Sequence, residues 1–383
     1  MVSQVQNLLL CHGFVQSLHN TNYRDFGLFY AHLAGHQWPI TLISGRNNTG
    51  KTTLLEGIFL AAAYKTPDLF LRLNAIRGGF SLAPSIQGLV LDACLWENLF
   101  SDMDMTLRLE VAVEGQNNNI FKVSFEKDDS SSLSQFTLPQ NTQPGAVQVP
   151  PGFLQPLPGS YLLKMSYSDG NISGEGNYSI TQGGLSFRMP SGWAANNPAA
   201  TIYDGPNTPI TNHPLAEWFG NLELLNKKQM LIDALKLLDK GITDIFSVPK
   251  SGAIELYARW EDQKPRPLRT LGDGLNKLLS YLLAIITNPG GVFLLDEIET
   301  GFHYSFYPHL WELLAAVVQE TGSQVIATTH SYECIKSAVE GVGKIDESIL
   351  TYVRLGKEGG IIVPHLFPSN ELGFALVNEM EVR

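Results

Sequence analysis

The sequence predicts an α/β fold, a mixed and mostly parallel β-sheet flanked by helices. Three observations predict it. Ile40–Ser44, Gly291–Leu295 and Gln324–Thr328 are short, continuous apolar runs of the kind that fill strands buried on both faces. Stretches with apolar residues at helical spacing alternate with them, as a parallel sheet requires of its crossovers. At 44% hydrophobic and 16% charged residues, the 383-residue chain also has enough apolar material for a sizeable core.

In chain order, Tyr23–Leu33 mixes aromatic and polar residues and is expected to be a strand, followed by the strand Ile40–Ser44. Leu54, Leu55, Ile58 and Phe59 share one face of a helix expected over Lys51–Tyr64. Residues 104–126 alternate through Met105, Leu107, Leu109, Val111 and Val113, then Phe121, Val123 and Phe125. That is the pattern of a half-buried hairpin, with its turn at Gln116–Asn119. From Lys127 to about His213, Pro, Gly, Ser, Asn and Gln dominate, which predicts an insertion of loops and short strands. Its aromatic residues, among them Tyr161, Tyr178, Trp193 and Tyr203, predict that it is at least partly folded. Helical periodicity returns over Leu215–Lys240, Ile254–Trp260 reads as a strand, and Leu275–Ile286 and Pro308–Glu320 read as helices. The expected organisation is an N-terminal lobe over 1–126, an insertion over 127–213 and a C-terminal lobe over 214–383.

Between the first apolar strand and the first helix stands Gly45-Arg46-Asn47-Asn48-Thr49-Gly50-Lys51-Thr52-Thr53, a full match to the phosphate-loop pattern G-x-x-x-x-G-K-[ST]. Gly45 and Gly50 let the backbone curl so that its N–H groups point inward at phosphate. The helix that starts near Lys51 adds the positive end of its dipole. Lys51 is placed to reach the outer phosphates of ATP, and the Thr52 hydroxyl to ligate Mg²⁺. A strand before the loop and an amphipathic helix after it are the context this motif needs.

Two later strands end in reactive side chains. Val292–Leu295 runs into Asp296 and Glu297. In a phosphate-loop enzyme Asp296 would hold Mg²⁺, mostly through water, and Glu297 would act as general base on the attacking water. Val325–Thr328 runs into Thr329, His330 and Ser331, and His330 could bond to the γ-phosphate. An acidic turn and a lone histidine are commonly structural. The phosphate loop upstream is what favours the functional reading of both.

A phosphate loop, a strand ending in Asp-Glu and a later strand ending in Thr-His-Ser resemble the ABC ATPase superfamily. Its signature, a glycine-rich turn opening a helix before the Asp-Glu strand, is matched by Leu271-Gly272-Asp273-Gly274. The resemblance implies an ABC-type head in which Gly272, Asp273 and Gly274 cap the γ-phosphate of ATP bound to the opposite subunit of a head-to-tail homodimer. The match departs from the family's form at the serine position. Gly272 stands there, and Thr270 is the alternative source of a hydroxyl. The family's glutamine loop is not assigned, Gln87 being the one candidate.

Lys51 and Asp296 are 245 residues apart (296 − 51), wider than in transporter nucleotide-binding domains. The gap resembles the RecF, Rad50 and overcoming-lysogenization-defect branch. Asn22–Gly27, Ile40–Leu55 and Leu295–His303 are similar to stand-alone AAA-type ATPases of that branch, which occur in bacterial anti-phage operons beside a nuclease or other effector. The resemblance covers roughly 20–65 and 268–335 and leaves 127–213 uncovered.

Other features bound the partners. A net charge of −11 argues against a surface that clings everywhere to nucleic acid. Lys227, Lys228, Lys236, Lys240 and Lys250, and Lys264, Arg266 and Arg269, form two modest basic segments, and DNA enters as a partner from the family resemblance alone. Cys11, Cys94 and Cys334 are dispersed and odd in number, which fits a reducing compartment. Without a basic n-region or a membrane-length apolar run, the expected location is cytoplasmic, with no membrane contact. No charged heptad arm is evident, and the roughly 50 residues after His330 are too few for a TOPRIM nuclease domain. Any nuclease activity is therefore expected from a partner. His303 and His309 read as structural or dimer-facing. The expected function is an ATP-hydrolysing, nucleotide-gated dimeric switch. The alternatives are a transporter nucleotide-binding subunit, against which the motif spacing and the missing serine argue, and a non-hydrolysing scaffold, which has no need of Glu297 or His330.

Overall fold

The computed structural model describes residues 17–23, 26–32, 39–63, 69–77, 99–100, 104–106, 108–114, 120–128, 162–168, 173–181, 184–188, 200–205, 212–237, 239–250, 253–270, 272–358 and 361–377. The chain opens with a hairpin, β1 (Ser17–Tyr23) and β2 (Phe26–His32), paired from Ser17↔His32 to Tyr23↔Phe26. The single strand expected over Tyr23–Leu33 is thus the second arm of a hairpin. The first arm, rich in Ser, His, Asn and Thr, carries no apolar period to announce it. β3 (Ile40–Gly45) is buried throughout and leads into α1 (Lys51–Ala62), while Tyr64 lies outside the described residues. After α2 (Leu69–Ile76), β4 (Leu109–Glu114) and β5 (Ile120–Asp128) pair antiparallel. β4 starts later than its alternation suggests, because Met105 sits in a local turn. The Asp104 carboxylate accepts from Thr106 N–H at 2.9 Å and Thr106 Oγ1 at 2.6 Å and so competes with the sheet. The expected hairpin turn at Gln116–Asn119 lies outside the described residues.

Next come β6 (Leu162–Ser168), β7 (Ser173–Thr181), β8 (Gly184–Arg188) and β9 (Thr201–Asp204). The helical stretch expected over Leu215–Lys240 is two helices, α3 (Asn212–Leu224) and α4 (Lys228–Lys236). Asn226, at φ 56°, takes the left-handed conformation that ends the first of them. β10 (Ile242–Lys250), β11 (Ala253–Trp260) and β12 (Pro265–Pro267) make a small antiparallel sheet. The last third is α5 (Asp273–Thr287), β13 (Val292–Leu295), α6 (Tyr307–Thr321), β14 (Gln324–Thr328), α7 (Tyr332–Gly343), β15 (Leu350–Glu358), β16 (Ile361–Pro368) and α8 (Ser369–Val377). Ser331 caps α7, its hydroxyl accepting from Cys334 N–H at 3.1 Å.

The chain forms two compact units. The first, drawn from 35–55 and 198–383, is organised by a six-stranded sheet in the order β16-β15-β3-β14-β13-β9. Every neighbouring pair is parallel except β15 with β16, so the α/β, mostly parallel fold expected from the sequence is what the chain adopts. Apolar faces of α3 to α8 and of the strands share one core around Trp311, Phe293, Leu282 and Tyr352. The second unit, drawn from 15–34 and 56–197, is a seven-stranded antiparallel sheet, β2-β1-β4-β5-β6-β7-β8. Phe70 packs edge-on against Phe125 and Tyr178 at 5.4 and 4.7 Å, and Arg77 holds the fully buried Glu56 carboxylate through two nitrogens at 2.8 and 2.9 Å. Among the described residues no helix is long and apolar enough to cross a membrane.

Candidate active site

Parallel strands deliver their carboxyl ends to one edge of a sheet, where open α/β folds bind ligands. Here the register aligns Thr328 with Ile43, Leu295 with Ala327 and Leu295 with Asp204. The segments that follow β3, β14 and β13, and the end of β9, therefore emerge side by side.

The phosphate loop is closed by its own bonds. Thr49 Oγ1 donates to Arg46 O at 2.8 Å, and Lys51 Nζ donates to Gly45 O at 2.7 Å and Arg46 O at 3.0 Å. Gly45 is irreplaceable on two counts. Its φ is 146°, and an added Cβ would stand 2.5 Å from Leu355 O. Arg46, Asn47 and Asn48 are exposed at the rim, whereas Thr49, Lys51 and Thr53 are buried. Burial lowers the Lys51 pKa, and the charges of Asp296, Glu297 and Glu299 partly offset this, so the ammonium lies within the field of the acidic strand end.

Thr52 Oγ1 donates to Asp296 Oδ2 at 2.9 Å, which joins the two residues expected to hold Mg²⁺. Tyr203 OH donates to the same oxygen at 3.3 Å, and Thr328 Oγ1 donates to Asp296 Oδ1 at 2.5 Å. Thr328 is fully buried, and its hydroxyl also accepts from Glu297 N–H at 2.9 Å. Glu297 itself sits at φ 50°, left-handed for a residue with a long side chain, a conformation that persists where the surroundings hold it. His330 keeps an exposed ring while its N–H donates to Glu299 Oε1 at 2.7 Å.

The donor set fits the groups the motifs call for. A glycine-lined loop with an ammonium aimed into it suits a polyphosphate. A hydroxyl and a carboxylate in mutual contact are hard oxygen ligands of the kind Mg²⁺ takes.

The signature turn is a separate constellation. Gly272, at φ 94°, is the N-cap position of α5, and its carbonyl accepts from Asn276 N–H at 3.3 Å and Asn276 Nδ2 at 3.0 Å. A Cβ on Gly274 would stand 2.7 Å from Gly301 O, so the turn packs on the loop that follows Glu297. Asp273 is exposed in the first turn. Among the described residues, the turn hydrogen-bonds to Asn276 and packs against Gly301 and Phe302, and no hydrogen bond joins it to the phosphate loop. Thr270 Oγ1 is engaged with Pro267 O at 2.7 Å. Gln87 lies outside the described residues.

Five neighbours of the site escape a reading of the sequence. Thr328 was visible in the Thr-Thr-His-Ser run but carries no motif of its own. Tyr203 and Asp204 end a strand of four residues. Tyr281 OH donates to Asp204 Oδ2 at 2.8 Å, and burial raises the pKa of both groups. Lys277 Nζ donates to Thr300 O at 2.9 Å, and its pKa is lowered by burial against the pull of Asp204 and the three glutamate and aspartate charges nearby. The available signal is the one cation and the one tyrosine of the helix.

Most cations of the two basic segments are paired: Lys227 with Glu320 at 2.7 Å, Lys228 with Asp244 at 2.8 Å, Arg266 with Asp262 at 2.7 Å and Arg269 with Glu255 at 3.0 Å. His303 Nδ1 meets Ser305 Oγ at 2.9 Å, and His309 stands 3.7 Å from Glu312.

Comparison with known proteins gives partial matches. A family model described as "AAA domain, putative AbiEii toxin, Type IV TA system" matches residues 191–335, and one described as "AAA domain" matches 12–183. The chain is similar to the ABC transporter ATP-binding protein YtrB of Bacillus subtilis, 30% identical over 101 residues, 26% of this chain and 34% of that protein. It is similar to the ABC-type organic anion transporter ABCA8B of Mus musculus, 33% identical over 70 residues, 18% of this chain and 4% of that protein. ATP-binding cassette sub-family A member 9 of Homo sapiens is 33% identical over 97 residues, 25% of this chain and 6% of that protein. The matched stretches are thus minor parts of these relatives. Among solved structures, the SMC head domain from Thermotoga maritima aligns at 12% identity and a TM-score of 0.42, covering 92% of this chain and 98% of that one. An Smc head from Pyrococcus furiosus, bound to the C-terminal domain of ScpA, aligns at 11% identity and a TM-score of 0.46, covering 96% and 99%.

Proposed function

We propose that this chain, a P-loop ATPase of the ABC/SMC-like class, hydrolyses ATP and uses the cycle as a dimeric switch. One observation carries the reading. Thr52, Asp296, Thr328 and Glu297 form one hydrogen-bonded chain beside the phosphate loop. Lys51 and the loop amides bind the phosphates. Thr52 and Asp296 would hold Mg²⁺, which would supply Lewis acidity toward the terminal phosphate. Glu297 accepts the proton of the attacking water, and His330 bonds the transferred phosphate. Gly272, Asp273 and Gly274 close over the γ-phosphate held by a second copy of the chain, an anion at a helix N-terminus. Two nucleotides then join two heads, and hydrolysis releases them. Residues 35–55 and 198–383 supply the nucleotide-binding unit, and the stretch from 127 onward extends the antiparallel sheet of the second unit before returning to the first at β9. The switch acts in the cytoplasm on a separate effector protein, such as a nuclease, in anti-phage defence or another DNA-related task. The paired basic segments make DNA the secondary partner.

The test is the size of Glu297→Gln by light scattering, with and without ATP–Mg²⁺. Loss of turnover with a nucleotide-dependent shift from monomer to dimer supports the switch. A variant that stays monomeric with ATP demonstrably bound refutes the sandwich and favours a nucleotide-binding scaffold. Undiminished turnover refutes Glu297 as the base.

A further inference from the structure

The signature turn and the loop after Glu297 touch at the backbone. Gly274 has no Cβ to fend off Gly301 O, and a Cβ built on Gly301 would lie 3.8 Å from Lys277 Cδ and 3.9 Å from Asp273 Cβ. One cation spans this seam. Lys277, one turn beyond Gly274 on α5, donates to Thr300 O at 2.9 Å and stands 3.5 Å from Glu297 O. Its ammonium also lies 5.7 Å from the Tyr281 ring centre and 5.9 Å from that of Phe302. Lys277 is half-buried, and burial lowers its pKa against the pull of Asp204, Glu299, Glu297 and Asp296.

The loop it grips is short and strained. Its internal bonds are Thr300 N–H to Glu297 O at 2.9 Å and Phe302 N–H to Glu299 O at 3.2 Å, and Glu297 is left-handed. A carbonyl at each end of the Glu297–Thr300 turn faces the same nitrogen. Holding both fixes the peptide that carries the candidate base relative to α5.

We propose that Lys277 is a positioning residue that couples the signature turn to Glu297, so that docking of the turn on nucleotide sets the geometry of the base. The proposal rests on the hydrolysis reading above. A cation that served only to neutralise buried carboxylates would have no reason to bond to two main-chain carbonyls of this turn.

The test compares wild type, Lys277→Met, which keeps the stem and loses the ammonium, and Lys277→Arg, which keeps the charge. Hydrogen exchange of the Thr300 and Phe302 amides is read without nucleotide. ATP affinity is read with a fluorescent analogue, and turnover as kcat and KM separately. The expected result for Lys277→Met is exchange at least about tenfold faster at these amides only, Kd within about threefold, and kcat lower by about 10- to 100-fold, where each tenfold is 1.4 kcal/mol. Lys277→Arg should recover most of the protection. Exchange and kcat both within twofold of wild type overturn the proposal, and faster exchange with unchanged kcat reduces Lys277 to a staple and overturns the coupling. If Lys277→Met does not fold, Lys277→Gln, shorter and neutral, replaces it with the same criteria. A wild-type chain without turnover refutes the proposed hydrolysis on its own, and the exchange comparison then decides the tie.

Discussion

Replacing Thr328 with Val removes one buried hydroxyl and leaves a side chain of nearly the same shape. Two bonds go with it: the 2.5 Å donation to Asp296 Oδ1 and the 2.9 Å acceptance from Glu297 N–H. Thr328 is fully buried and Asp296 is 5% exposed, so water is poorly placed to replace either partner. A charge-assisted bond contributes about 1.5–3 kcal/mol, and an orphaned buried N–H costs about 1–3 kcal/mol. The two losses share one atom and do not simply add, so the expected destabilisation is about 2–5 kcal/mol. The tie that keeps Glu297 at φ 50° also goes, and a shift of about 1 Å in a catalytic group costs about 100-fold in rate. Urea unfolding followed by tryptophan fluorescence measures the first effect, and ATP turnover the second. Thr328→Ser separates hydroxyl from methyl. It keeps Oγ and should lose only about 0.5–1.5 kcal/mol, with turnover largely kept. A Val variant within about 0.5 kcal/mol of wild type, or a Ser variant as damaged as the Val variant, would refute the hydroxyl as the tie.

Three other expectations follow from contacts already described. Gly274→Ala should cost about 1–3 kcal/mol, because its Cβ would press on Gly301 O at 2.7 Å, whereas Gly272→Ala meets open space and pays only for φ 94°, about 1 kcal/mol; equal unfolding midpoints for the two would contradict this. Burial raises the Asp204 pKa in the folded chain, so its protonated form is favoured there, its contribution is full below the ordinary carboxylate value, and stability is lost as pH rises through the folded value. Asp204→Asn should therefore gain stability relative to wild type as pH is raised from the ordinary carboxylate range, and a pH-independent difference in denaturant midpoint would count against it. The Cys334 thiol is fully buried and pushed up to about 12, so iodoacetamide at pH 8 should label it, by peptide mass mapping, only after denaturation.

What was legible in the sequence follows from physical type. The phosphate loop, the Asp296–Glu297 strand end and the His330 strand were readable because their strands are buried on both faces and so are continuously apolar. β15 carries no such signal, although it lies directly against β3, because Arg354, Gly356 and Lys357 break its apolar run. β9 is four residues long and flanked by prolines, too brief for any period, yet it brings Tyr203 and Asp204 to the site. Thr328 and Lys277 became visible only once register and packing put them against Asp296 and the Glu297 turn. Such residues act through geometry that no spacing rule encodes. The break at Asn226 is hidden for a related reason. Apolar periodicity runs on through α3 and α4, and one left-handed residue decides where the first helix stops.

The strand order of the parallel sheet has a consequence during synthesis. β3 is a central strand, but both its neighbours come from the far end of the chain: β14 begins 279 residues after Gly45 (324 − 45) and β15 begins 305 residues after it (350 − 45). At about 5–20 residues per second, a ribosome takes roughly 15–60 s to supply both partners. Until then Ile40–Gly45, wholly buried in the finished protein, has two bare edges and the composition of an aggregation-prone segment. The half of the site that grips phosphate is therefore made first and completed last, and its safe passage depends on whatever shelters a nascent strand in the interval.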